Sequence, residues 1–126
     1  MLDISRVIFP QDRDILEDTD SLRDRIHDKV KDKFDGEKLV ILDFGSTYKV
    51  RCRYKNNMLN GLVKCFNEND DMISMTQYVN DHKEGMYIKY HYNGEISCVG
   101  TFRNGECWGT WNYYNEDGEY TRSERY

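Results

Sequence analysis

A single proline, Pro10, stands among 126 residues, which excludes a proline-rich ligand and argues against a loop-dominated fold. No apolar run approaches the ~20 residues of a membrane-spanning helix. The opening MLDISRVIFPQD has no basic stretch followed by an apolar block, so it does not read as a secretory leader and the expected compartment is the cytoplasm. Cys52, Cys65, Cys98 and Cys107 form no C-x-x-C pair and have no histidine at a zinc spacing. They read as small apolar residues in a reducing compartment rather than as a disulfide or metal set. The glycines do not cluster into a phosphate-binding loop. His27, His82 and His91 have no serine, cysteine or carboxylate at a motif spacing. No catalytic residue, metal or cofactor is therefore assigned, and the chain is not expected to be an enzyme. A formal net charge of -5 makes nucleic acid an unlikely main ligand.

What the chain does hold is a period. Gly85 and Gly109 are each followed by an aromatic two residues on, Tyr87 and Trp111, and by another five residues on, Tyr90 and Tyr114. Asn93-Gly94 and Asp117-Gly118 sit at the same offset, and Gly61, Val63, Phe66, Asn69 and Asp70 occupy the same places one unit earlier. Tyr78, Phe102 and Tyr126 form a further column spaced by 24 residues. Turn signals at Asn56-Asn57, Asn60-Gly61, Asn69-Asp70, Asn80-Asp81, Asn93-Gly94, Asn104-Gly105 and Asn115 to Gly118 divide the chain into short segments, because type I′ hairpin turns need positive φ at both central residues. Each 24-residue unit is thus expected to be a hairpin, and successive hairpins an antiparallel meander of seven or eight strands.

Ahead of the meander the texture changes. Residues 1 to 9 alternate weakly, as an edge strand or ordered arm would. From Gln11 to Phe34 the sequence is charge-dense, and Leu22, Ile26, Val30 and Phe34 lay an i, i+4 apolar stripe along a helix. Thr19, Asp20 or Ser21 is placed to cap it, and Gly36 to end it. Lys38 to Phe44 is the most apolar run and reads as a buried strand, while Tyr48 to Lys55 alternates, Val50, Cys52 and Tyr54 facing one way and Lys49, Arg51, Arg53 and Lys55 the other. The expected fold is mainly β, in the α+β class. Residues 1–36 form an arm and an amphipathic helix packed on the sheet, and residues 37–126 the meander, together one domain.

The columns Gly85-Met86-Tyr87, Tyr90, Asn93-Gly94, Asn104-Gly105, Trp108-Gly109, Trp111, Tyr114 and Asp117-Gly118 resemble the MORN-repeat variant family. The unit opening at Gly61 departs from that pattern in Val63 and Asp70, and the resemblance covers about half of the chain. It implies a non-enzymatic binding surface of the kind found in bacterial antitoxins, with a toxin or a defence enzyme as the protein partner. A virus- or plasmid-encoded inhibitor of a host defence enzyme, acting through acidic mimicry, is one alternative. A scaffold or membrane-peripheral protein of the more typical MORN kind is another.

Two constellations are candidate sites. The aromatic ladder Tyr87, Tyr90, Tyr92, Phe102, Trp108, Trp111, Tyr113 and Tyr114 serves in part as core, but one helix covers one sheet face only. Its remaining members, ringed by Glu95, Arg103, Glu106, Glu116 and Glu119, are the expected partner surface. Trp108 and Trp111, three apart in a strand, are expected on opposite faces. The row Lys49, Arg51, Arg53 and Lys55 either binds an anion or acidic partner, or lies under or beside the acid-rich helix, or pairs across the sheet with acids on neighbouring strands. A homodimer is a further alternative, with the helix stripe as its seam if that stripe does not pack on the sheet.

Overall fold

The computed structural model describes residues 19–30, 34–43 and 45–126. The arm expected over residues 1 to 9, Ile15 in the charge-dense segment and Phe44 at the end of the apolar run lie outside them. Among the described residues there are one helix, α1 (Thr19–Lys29), and nine strands: β1 (Gly36–Asp43), β2 (Thr47–Lys55), β3 (Met58–Leu59), β4 (Gly61–Phe66), β5 (Met72–Val79), β6 (His82–Tyr90), β7 (Ile96–Arg103), β8 (Glu106–Tyr114) and β9 (Tyr120–Arg125). All pairs are antiparallel, in the order β1-β2-β4-β5-β6-β7-β8-β9, with β3 also pairing β2. The protein is a mainly β meander with an N-terminal helix.

Asparagine chemistry sets the turns. Asn56-Asn57 (φ 53 and 64), Asn80-Asp81 (φ 47 and 71) and Asn104-Gly105 (φ 53 and 82) are two-residue turns with both central residues in the left-handed region, which matches the twist of the flanking strands. At the other end of the sheet, longer loops close by Asn67 N–H to Asp71 C=O (2.9 Å), His91 N–H to Glu95 C=O (2.8 Å) and Asn115 N–H to Glu119 C=O (2.9 Å). The Oδ1 atoms of Asn67, Asn93 and Asn115 accept further backbone N–H bonds inside these loops. Both kinds of turn recur 24 residues apart.

Asn60-Gly61 is not a turn. The chain continues there from β3 into β4 along the same partner, β2, with Asn60 N–H bonded to Arg53 C=O (2.9 Å) and Gly61 at φ 111. Gly85 (φ 100) and Gly109 (φ 71) sit where β6 and β8 also shift register against the preceding strand. The glycine column of the sequence is therefore a column of bulges, whose positive φ a side chain would strain.

Successive side chains point to opposite faces, so register partners share a face. Val40 and Leu42 on β1, Tyr48, Val50, Cys52 and Tyr54 on β2, Val63 and Cys65 on β4 and Tyr78 on β5 are buried on one side. The helix lays Leu22 and Ile26 into this cluster, with Val30 and Phe34 packed at its margin. The expected stripe is present, on a helix that spans Thr19–Lys29 among the described residues. With Thr19 already in its first turn, Asp20 and Ser21 lie inside the helix and not at its cap. Burial pushes the Cys52 thiol up to about 11, against a lowering by Lys38, and the Cys65 thiol up to about 12. Both therefore stay protonated at neutral pH. All four cysteines are free.

A polar tie holds the helix in register. His27 Nε2 lies 2.8 Å from Asp81 Oδ1 and His27 Nδ1 2.8 Å from the Tyr54 hydroxyl, while the same Asp81 oxygen accepts the Leu59 N–H at 2.7 Å. Burial, followed by the charges of Cys52 and Asp81, raises the Tyr54 hydroxyl far above its usual range. It therefore stays protonated, and in the neutral ring Tyr54 O–H donates to Nδ1 while Nε2–H donates to Asp81. One end of the tie is thus a hairpin turn and the other the helix.

Past β5 the same face closes without the helix. Tyr87, Cys98, Phe102 and Trp111 form a second buried cluster, with Cys107 and Tyr113 half-buried beside it. The rings meet at centroid distances of 5.5 Å (Tyr87–Phe102), 5.4 Å (Tyr87–Trp111) and 5.0 Å (Phe102–Trp111), two of the three edge-to-face. Trp111 lies flat over Gly100, and Lys83 is buried with its Nζ 4.6 Å from the Phe102 centroid. One observation corrects the sequence reading: β1 is not a fully buried strand. Only Val40 and Leu42 are buried, whereas Leu39 and Ile41 point to the other side, half-exposed.

Candidate interaction face

The side of the sheet opposite α1 carries large apolar groups in the open. Leu39 and Trp108 are each 50% exposed, and Ile41, Leu62 and Met86 lie between 36% and 43%. Register strings them into rows. Leu39 pairs with Arg51, Arg51 with Lys64, Lys64 with Met75, Met75 with Ile88 and Ile88 with Val99. A second row runs from Met86 through Thr101 to Trp108. None of these groups belongs to either buried cluster.

The aromatic ladder divides between the faces and is not one patch. Tyr87, Phe102 and Trp111 are core on the helix side, where they bury each other edge-to-face and so need no covering helix. Tyr113 is half-buried beside them, with the Arg122 guanidinium 4.0 Å over its ring. Tyr90 and Tyr114 are half-buried near the loop end, Tyr114 edge-on to Tyr120 at 6.1 Å, and Tyr92 stands in a loop at 83% exposure. Of the eight, Trp108 is the strand residue left half-exposed on the open face, with the Arg103 guanidinium 5.3 Å from its ring. Half-buried Tyr90 and Tyr114, following Lys89 and Tyr113 in the alternation, fall on the same open side. Trp108 and Trp111 do lie on opposite faces. Glu95, Glu116 and Glu119 sit in end loops and do not ring an aromatic patch.

The basic row is on the open face as well. Because Tyr48, Val50, Cys52 and Tyr54 turn toward the helix, Lys49, Arg51, Arg53 and Lys55 turn away from it, so the row does not lie under the helix, while the alternative of pairing with acids across the sheet holds for Arg53 with Glu37 on β1. Lys49 pairs with Asp70 (2.7 Å) and Arg53 with Glu37 (3.6 Å), exposed contacts of ~0 to 1 kcal/mol each. Arg51, Lys55 and Lys64 have no ion pair among the described residues. Reading the sequence missed Lys64, Leu39, Leu62 and Met86. The phase of alternation in β2, carried across the sheet, was the signal that would have placed the first two.

Among the described residues no group of three or more His, Cys, Asp or Glu is placed to hold a metal ion, and no helix is long and apolar enough to cross a membrane. No family model matches this sequence, and no curated protein matches it either.

Proposed function

We propose that this chain is a non-enzymatic protein-binding module, an antitoxin or inhibitor, that covers a partner protein with the open face of its sheet. The supporting observation is the two-sidedness of the meander. One face is filled by α1 and the aromatic cluster, while the other leaves Leu39, Ile41, Leu62, Met86 and Trp108 at the surface beside a basic row. Large apolar side chains left open on a sheet face among polar ones are where partners dock, with a tryptophan as a frequent anchor. A toxin or a defence enzyme is the proposed partner class.

A photo-crosslinking residue at position 86, on the open face beside Trp108, expressed in the source cell, is expected to give one discrete protein adduct. The same residue at position 92, exposed but off the face, is expected to give none. Equal labelling from both positions, or an adduct from 92 alone, contradicts the reading.

A further inference from the structure

Like charges set directly opposite each other on neighbouring strands destabilise a sheet. Arg51 on β2 and Lys64 on β4 are register partners on the open face, and neither has an ion pair among the described residues. Leu39 flanks Arg51 on one side, Met75 flanks Lys64 on the other, and Arg53 and Lys55 continue the positive row along β2. The groove here has a volume of about 500 Å³ and is lined by Glu37, Leu39, Arg51, Arg53, Leu62 and Lys64. Two cations held side by side, with alkyl walls and no acid between them, raise the local potential where an anion relieves it.

Resting on the protein-binding reading above, we infer that this groove takes an acidic, extended segment of the partner protein. The geometry favours a peptide. Alternate residues of an extended chain are ~6.8 Å apart, as are Arg51 and Arg53 in the groove and Lys55 beyond its end along β2, so carboxylates at every second residue meet the row in register, taking the place of Glu37 at Arg53. Nucleic acid is less suited, because the groove is walled by leucines and offers bases no aromatic ring to stack on.

The probe is a fluorescein-labelled peptide of alternating Glu and Val, compared at low salt with the same peptide carrying Gln for Glu, with phosphatidylserine vesicles and with an oligo-dT strand. The Glu peptide is expected to bind about tenfold or more tighter than the Gln peptide and to weaken as salt rises. Arg51→Glu is expected to abolish that preference while melting at or above the wild-type temperature, since it sets opposite charges in register with Lys64. The double variant Arg51→Lys, Lys64→Arg is expected to keep it. Equal binding of the two peptides overturns the inference, as does Glu-peptide binding that Arg51→Glu leaves unchanged, or binding of vesicles or oligo-dT in place of the peptide. If crosslinking at position 86 succeeds while the Glu peptide fails, the acidic-segment inference falls alone. If that crosslink fails while the peptide binds, it is the open-face reading that falls.

Discussion

Ile26→Asp is expected to cost the domain ~4 kcal/mol or more, much of the ~5 to 15 kcal/mol that holds a protein of this size folded. Ile26 is 0% exposed, the deepest point at which α1 meets the sheet. The change removes ~2 to 3 kcal/mol of apolar burial and puts an unpaired carboxylate among Leu22, Tyr54 and their neighbours, where its desolvation costs several more. Half-buried Val30 stands at the rim, so Val30→Asp is expected to cost less. Urea unfolding followed by tryptophan fluorescence reads both. If Ile26→Asp left the midpoint unchanged and altered only the oligomeric state, the helix stripe would be a seam between copies and not part of this core.

Gly100→Ala is expected to cost ~3 kcal/mol although it adds one methyl group. A Cβ at residue 100 overlaps Trp111 Cδ2, Cε2 and Cε3, so the indole must lift off the sheet. Overpacking of this kind costs ~1 to 3 kcal/mol, and displacing the ring also disturbs its contacts with Phe102 and Tyr87 and the Nε1–H bond to the Thr101 carbonyl (3.1 Å). The signature is a lowered melting temperature with a red-shifted tryptophan emission. In a double-mutant cycle Trp111→Leu makes room for the new methyl, so the two changes together are expected to cost less than their sum. Strict additivity would mean that Trp111 does not rest on Gly100.

These two residues also mark what the sequence made legible. Ile26 was readable, because an i, i+4 stripe in a charge-dense segment admits one packing side. The hairpin turns were readable from asparagine and glycine, since positive φ is a local demand. Gly100 was not readable, because its reason is a contact with a ring eleven residues away across a bulged pair. The bulges also misled the reading of Asn60-Gly61, where a turn-like dipeptide serves a shift of register within one strand pairing. Lys38 to Phe44 looked fully buried because its exposed side, Leu39 and Ile41, is apolar too, and composition does not separate a core face from a docking face. The aromatic ladder failed as a patch for the converse reason: Tyr87, Phe102 and Trp111 shield one another, so a row that seemed to need a partner is largely its own cover.

The division between faces is tested most directly by measuring stability and crosslink capture together for Trp108→Ala and Trp111→Ala, with the photo-crosslinking residue placed at position 86 on the same face. Trp108 is half-exposed and contributes little beyond its contact with Arg103, ~0.5 to 1 kcal/mol at such a site, whereas Trp111 is 4% exposed at the centre of the second cluster and its truncation costs ~3 to 5 kcal/mol. The account predicts that Trp108→Ala melts close to the wild type and loses most of the adduct, while Trp111→Ala melts far lower. A Trp108→Ala chain that captures its partner as well as the wild type, or that unfolds as readily as Trp111→Ala, would contradict it.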